Sequence, residues 1–126
     1  MKVLQIVEQA FRTPVEEQDD TILWLTRSMR GAGAELSVLL AGHAVHYAVQ
    51  RRAQPALTLA GWRQRQPAEL TQDLDALLAD GVAVFAIRED LAERGLAELK
   101  LRDGVEAIDR ETLPRLYDEA DQVWQW

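Results

Sequence analysis

The sequence predicts one α/β domain built around a mostly parallel five-stranded sheet, and three observations lead to this fold class. Short apolar runs of strand length recur along the chain. Segments with helical periodicity or helix-stop signals separate most of these runs, which is typical of a parallel sheet. The runs are apolar on both faces, as expected when helices cover both sides of the sheet. The length of 126 residues suits a single core, so we expect one domain over residues 1–126.

The first third of the chain predicts two buried strands with a helix between them. Lys2–Val7 and Glu35–Leu40 are both nearly continuous apolar runs. The helix is expected from Glu16 to Gly31, because acidic residues favour a helix N-terminus and glycine favours a helix end. Its apolar residues at helical spacing are Ile22, Leu25 and Met29. The predicted order of elements is therefore strand, helix, strand.

The middle of the chain combines an irregular stretch with a second periodic segment. A helix is expected to begin at Gly42, directly after the second strand. Residues 50–66 show no sustained periodicity, and we expect a connection there with at most a short helical turn. Pro67 suits a first helical position, and Asp80 and Gly81 suit the left-handed end of a helix. The apolar face of this helix consists of Leu70, Leu74, Leu77 and Leu78.

The last third of the chain repeats the alternation. Val82–Ile87 is apolar throughout and predicts a central strand, which a short helix, Arg88–Gly95, follows at once. The charged residues of this helix are expected to pair with one another in solvent. Gly104–Ile108 and Val123–Trp126 predict two further strands, and Asp109 is the expected N-cap of the helix between them. These patterns do not specify the order of the five strands.

Composition and charge exclude several classes of function. The chain has no cysteine, so its own side chains cannot carry thiol, disulfide or persulfide chemistry. The net charge is −7, and residues 63–126 hold the whole excess of acidic residues. This balance opposes direct nucleic-acid binding, which depends on Lys and Arg. Because no apolar run reaches the roughly 20 residues of a membrane span and no signal peptide is evident, we expect a cytoplasmic protein that does not bind membranes.

Three polar residues follow predicted strands at their carboxyl ends. Glu8 follows the first strand, His43 the second and Arg88 the central one. In open parallel sheets, ligands bind outside the carboxyl ends of the strands. Glu8, His43 and Arg88 are therefore the candidate ligand-binding residues, and an anion or another small molecule is the expected kind of ligand.

Neither a metal site nor a nucleophile is predicted. His43 and His46 lie three residues apart at a helix start, but no second pair of ligands accompanies them. Surface or subunit-contact histidines are the favoured interpretation. Ser28 and Ser37 fall in helix and strand patterns without a nearby base. We expect no metal, no cofactor and no catalytic residue of these kinds.

The order of elements and three short stretches resemble the DsrE/DsrF/DsrH-like family, which includes the TusB, TusC and TusD sulfur-relay proteins. Gly81–Leu96 resembles the family's central strand and following helix, and Gly42–Val45 is similar to its glycine-led turn after the second strand. Asp121–Trp124 is similar to its closing strand. The resemblance spans nearly the whole chain. It implies a flavodoxin-like three-layer fold over residues 1–126 and assembly into homo- or hetero-oligomers.

The resemblance also implies a role in moving sulfur between protein cysteines, and here the sequence departs from the family. Active relay members commonly carry a cysteine at the position of Ile87. Isoleucine cannot form the thiolate that accepts a persulfide, so sulfurtransferase activity does not carry over to this chain. The leading hypothesis is a non-catalytic DsrE-like subunit or accessory component of a sulfur-relay system, in sulfur oxidation or tRNA thiolation. Its expected partners are DsrE-family proteins and a sulfur-carrier protein.

A second hypothesis is a homo-oligomeric protein that binds a small molecule or anion, or an enzyme, with Glu8, His43 and Arg88 at its site. The two hypotheses differ in a testable way. Capture of a cysteine-bearing relay partner favours the first, and a metabolite bound to the purified protein favours the second.

Overall fold

The computed structural model describes residues 1–11, 20–50, 56–65 and 71–126. The elements, in chain order, are β1 (Lys2–Val7), α1 (Thr21–Gly31), β2 (Glu35–Leu40), a 3₁₀ segment (Gly42–Ala48), β3 (Thr58–Leu59), β4 (Trp62–Arg63), α2 (Gln72–Ala79), β5 (Ala83–Ile87), α3 (Arg88–Glu93), β6 (Val105–Ile108), a 3₁₀ turn (Arg110–Thr112), α4 (Leu113–Glu119) and β7 (Gln122–Gln125). No helix in these described ranges is long and apolar enough to cross a membrane.

The main sheet is parallel throughout and has the strand order β6-β5-β2-β1-β7. β1 pairs with β2 over its whole length, from Lys2 opposite Glu35 to Val7 opposite Leu40. The other edge of β1 pairs with β7, so the first and last strands are neighbours. The predicted α/β class, with a mostly parallel five-stranded sheet in a flavodoxin-like arrangement, is confirmed.

The side chains of the central strands alternate between two apolar clusters, which makes the domain three-layered. One cluster includes Val7 and Val38 of the sheet and Leu23 of α1, with Leu74 and Leu77 of α2. The other contains Leu4 and Ile6 of β1, Leu39, Ile87 and Ile108 of the neighbouring strands, and Leu116 of α4. Because both faces of β1, β2 and β5 are covered, their sequences are nearly continuous apolar runs.

The start of α1 is fixed by Asp20. One carboxylate oxygen accepts hydrogen bonds from the backbone N–H groups of Ile22 and Leu23, at 3.0 and 3.2 Å. The other accepts from the buried hydroxyl of Tyr47 at 2.8 Å. Asp20 therefore caps the helix and also ties it to the 3₁₀ segment. The start predicted at Glu16 lies outside the described residues, as do Pro67 and Leu70 of the next predicted helix.

The connection between β2 and α2 differs from its prediction. Within residues 56–65 it forms an antiparallel hairpin, β3–β4, instead of a short helical turn. Leu59 lies opposite Trp62, and the two turn residues Ala60 and Gly61 have positive φ angles of 47° and 81°. Two positive φ angles in a two-residue loop are typical of the type I′ turn, whose twist suits a hairpin. The short strands left no periodicity to detect.

The helix predicted to begin at Gly42 is confirmed, and it is a 3₁₀ helix over Gly42–Ala48. The prediction for Asp109 is wrong. Asp109 does not cap the helix that follows it with its side chain, because its carboxylate accepts a hydrogen bond from Arg88 instead. A 3₁₀ turn, Arg110–Thr112, comes between Asp109 and α4. This difference arises from a tertiary contact at the carboxyl edge of the sheet, which the local sequence does not show.

Candidate functional site

Glu8, His43 and Arg88 lie at the carboxyl edge of the sheet, after β1, β2 and β5 respectively. These three strands are adjacent in the order β5-β2-β1, and all three side chains are exposed. The structure thus places the predicted residues along one edge. Their side-chain contacts, however, turn Glu8 and Arg88 in opposite directions.

Arg88 is turned toward β6. Its Nε donates to Oδ1 of Asp109 at 2.8 Å, and its Nη2 donates to the carbonyl oxygen of Ala107 at 3.1 Å. The side chains of Arg88 and Asp109 are 60% and 51% exposed, so the ion pair is well solvated. Arg88 therefore ties the end of β5 to the end of β6.

Glu8 is turned toward β7. Its Oε1 accepts a hydrogen bond from Nε2 of Gln125 at 2.9 Å. Its backbone N–H donates to the carbonyl oxygen of Trp126 at 3.0 Å, and its own carbonyl accepts from the N–H of Ala44 at 3.2 Å. Glu8 thus joins the ends of β1 and β7 and supports the 3₁₀ segment that carries His43.

Asp90 is the buried centre of this edge, and the sequence analysis did not single it out. The residue is only 7% exposed although it is charged. Its Oδ2 accepts from the backbone N–H of Gly42 at 2.8 Å, and its Oδ1 accepts from Nη2 of Arg110. One carboxylate therefore connects α3 with the segments that follow β2 and β6. A buried carboxylate that accepts two charge-assisted hydrogen bonds holds loops in place.

Glu89, the residue before Asp90, strengthens the connection between α3 and the segment that follows β6. Both carboxylate oxygens of Glu89 accept from the backbone N–H of Arg110, at 3.0 and 2.9 Å. Pairing within the short helix had been expected for these charges. That expectation is wrong for Glu89 and Asp90, because both bind Arg110 and Asp90 also binds the N–H of Gly42. No local pattern indicates these contacts with Arg110, because they depend on β5 and β6 being neighbours.

Arg94 lies beneath the turn at Gly42. Its Nη1 donates to the backbone oxygen of Asp90 at 3.2 Å, and lies 3.7 Å from Oε2 of Glu93. Its Nε is buried, and among the described residues it has no hydrogen-bond partner. A Cβ added to Gly42 would lie 4.0 Å from Nη2 of Arg94, so the guanidinium and this turn are close. Within the part of the chain that the structure describes, the Nε of Arg94 is thus a buried donor without a partner, and a donor of this kind suits an anion.

Ile87 occupies the last position of β5 and is 4% exposed. It pairs in register with Ile108 and packs in the cluster that contains Leu4, Ile6 and Leu39. Backbone geometry changes from strand to helix directly after it, at Arg88. The position is therefore a strand-to-helix junction at the carboxyl edge, and this chain uses it for packing.

Other parts of the structure offer different chemistry. Within the described ranges, no group of three or more His, Cys, Asp or Glu residues could hold a metal ion. A cavity of about 520 Å³ is lined by Gln50, Asp75 and Arg102, among others. It lies beside α2 and the segment before β6, away from the carboxyl edge. Arg102 already donates to Tyr47, Asp75 and Thr71, so its role is to join these elements.

Comparison with known proteins supports the fold. The chain matches the ychN protein from E. coli with a TM-score of 0.70 and 22% identity over 100% of both chains. It also matches MTH1491, a protein of unknown function from Methanobacterium thermoautotrophicum, with a TM-score of 0.65 and 13% identity over 99% of this chain and 98% of that one. No protein-family model matches, and neither does any curated protein. The shared property is the fold over the whole chain.

Proposed function

We propose that this chain is a non-catalytic DsrE-like protein that serves as a subunit or accessory component of a sulfur-relay system in the cytoplasm. The observation that carries the proposal is Ile87, a packed isoleucine at the end of the central strand in a chain without cysteine. The whole-length likeness to the ychN protein supports the DsrE-like part of the proposal.

The chemistry of sulfur transfer assigns the roles in such a complex. Attack on sulfane sulfur and formation of a persulfide both need a thiolate. Because no side chain of this protein can supply one, a partner must carry the sulfur. The chain then contributes structure: Asp90 and Glu89 hold the loops at the carboxyl edge in one arrangement, which a partner can bind. Partner proteins of the DsrE family or a sulfur-carrier protein fit this role.

Complex formation tests the proposal directly. The protein is mixed with a cysteine-bearing TusD-like protein from the same organism, and the mass is measured by size-exclusion chromatography with light scattering. We expect a stable complex in which ³⁵S from a cysteine desulfurase labels only the partner. The variants His43→Ala and Arg88→Ala should retain the complex, because neither side chain carries the proposed role. If neither TusD-like proteins nor sulfur-carrier proteins of that organism bind the chain, the proposal fails.

Ile87→Cys tests whether the side chain at position 87, where active relay members commonly carry a cysteine, has a packing role. From the 4% exposure of Ile87, we expect the new thiol to react with a disulfide reagent at least about tenfold more slowly than that of Arg88→Cys, the exposed neighbour. The smaller side chain should also lower the free energy of unfolding by about 1–2 kcal/mol. Reaction rates followed by absorbance and denaturation followed by circular dichroism measure the two effects. Equal reaction rates at positions 87 and 88 would contradict the packing role.

A second candidate function is a homo-oligomeric protein, or an enzyme, that binds a small molecule or anion at the carboxyl edge. The observation that favours it is the buried Nε of Arg94, which lies close to the turn at Gly42. Glu8 and Arg88 are less suited to this role than predicted, since each is already bonded to a neighbouring strand. Native mass spectrometry of the purified protein distinguishes the two functions, because only the second requires a bound metabolite.

A further inference from the structure

The hairpin β3–β4 exposes large apolar side chains on both sides of its two-residue turn. Leu59 is 74% exposed and Trp62 is 52% exposed, and the two residues lie opposite each other. Leu57, just before β3, is 43% exposed. Trp and Arg are enriched where proteins bind each other, and Arg63 follows Trp62 directly. The exposed tip therefore has the composition of a binding element.

The base of the hairpin is fixed although its tip is exposed. Gln64 is 3% exposed, and its backbone N–H donates to the carbonyl oxygen of Leu57 at 2.8 Å. Its side-chain oxygen accepts from the N–H of Leu57 at 3.3 Å. The positive φ angles of Ala60 and Gly61 close the turn with the twist that a hairpin needs. An element ordered in this way loses little conformational freedom when it binds.

The segment that contains the hairpin differs in charge from the rest of the chain. The 33 residues from 36 to 68 contain four arginines and no acidic residue. The remaining 93 residues contain ten Lys/Arg and 21 Asp/Glu, a net charge of −11. Residues 116–126 contain three acidic residues and no basic one. One protein thus carries a basic, apolar element and, elsewhere, a strongly acidic surface.

The acidic stretch also exposes apolar side chains. Tyr117 and Val123 are 42% and 43% exposed, and Trp124 and Trp126 are each 37% exposed. The two tryptophan rings lie edge to face with centroids 6.4 Å apart. β7 forms the edge of the main sheet, so this surface is open on one side. We call residues 117–126 the acidic edge.

We propose that the β3–β4 hairpin docks on the acidic edge of a second copy of this chain. Leu59 and Trp62 would pack against the exposed aromatic residues, while Arg63 and Arg65 face Asp118 and Glu119. If the two copies dock reciprocally, the contact builds a two-fold dimer; if each copy docks on the next, it builds a ring or a longer assembly. Charge and exposure alone favour this contact, so it does not depend on sulfur chemistry.

Sedimentation velocity over a range of protein concentrations tests this proposal. We expect the wild type to assemble, and Trp62→Ala to raise the dissociation constant about tenfold or more. Trp24→Ala is the matched control, since Trp24 is similarly exposed at 55% and lies in α1. Arg63→Glu should dissociate the assembly as well, whereas Lys100→Glu, which changes the net charge equally at an exposed side chain, should not. Association should weaken between about 0.05 M and about 0.5 M salt.

A charge exchange identifies the acceptor surface. A copy with Arg63→Glu and Arg65→Glu is mixed with a copy that carries Asp118→Arg and Glu119→Arg. Each copy alone should be monomeric, and the mixture should associate. Circular dichroism establishes that every variant is folded. A wild type that is monomeric at all concentrations, a Trp62→Ala variant that assembles normally, or a mixture that stays dissociated would each overturn the proposal. So would single-stranded RNA binding that Arg63→Glu abolishes without a change in mass.

Discussion

Replacing Asp90 by alanine is expected to lower the free energy of unfolding by about 2–3 kcal/mol. The carboxylate is 7% exposed and accepts hydrogen bonds from the N–H of Gly42 and from Arg110. Its loss leaves the Gly42 N–H without its acceptor at a half-buried position, which is the larger part of the cost. Because the side chain of Arg110 is 51% exposed, the lost ion pair contributes less.

Asp109→Ala is the matched control, because it removes an aspartate from the same edge. Its partner Arg88 is 60% exposed, and we expect the loss of this solvated ion pair to cost less than about 1 kcal/mol. Urea denaturation followed by circular dichroism measures both variants. Equal destabilisation by the two substitutions would show that Asp90 is not the buried centre of this edge.

Gly42→Ala is expected to destabilise the protein by about 2 kcal/mol or more, for two separate reasons. Gly42 has a φ angle of +53°, a conformation that costs any other residue about 1 kcal/mol. In addition, the new Cβ would lie 3.2 Å from the backbone oxygen of Glu8. That oxygen accepts the N–H of Ala44, so it cannot move without disturbing the 3₁₀ segment.

Gly81→Ala separates the two contributions. Gly81 has a φ angle of +77°, and a Cβ there would meet nothing within 4 Å. Only the backbone cost of about 1 kcal/mol should therefore appear. The difference between the two variants in the midpoint of urea denaturation measures the contact with Glu8. The close approach at Gly42 is refuted if both variants unfold at the same urea concentration.

The main strands were accessible from the sequence because both faces of the sheet are covered. β1 and β2 have the predicted bounds, Lys2–Val7 and Glu35–Leu40, and β5 begins one residue later than predicted. Strands buried on both sides leave continuous apolar runs, which need no tertiary information to recognise. The hairpin was missed because its strands have two residues each, too few for a periodic pattern.

Only part of the candidate site could be predicted from the sequence. The sequence pattern predicted that Glu8, His43 and Arg88 lie at the carboxyl edge of the sheet, where the structure has them, but it could not supply their partners. Arg88 bonds to Asp109 because β5 and β6 are neighbours, and Glu8 bonds to Gln125 because β1 and β7 are neighbours. Strand order is a property of the whole fold. The contacts of Asp90, the buried carboxylate of this edge, also follow from strand order and could not be predicted from the sequence.

The position of β1 between β2 and β7 affects how the chain folds during synthesis. β1 can pair with β2 once Glu35–Leu40 has been made, but its other edge finds its partner only when Gln122–Gln125 has been made. Until those residues leave the ribosome, an apolar strand near the start of the chain has one open edge. Pairing of such distant segments is slow, because a long loop must close before any contact stabilises it. The pairing of β7 with β1 therefore closes the open edge of β1 only after the rest of the sheet has been made.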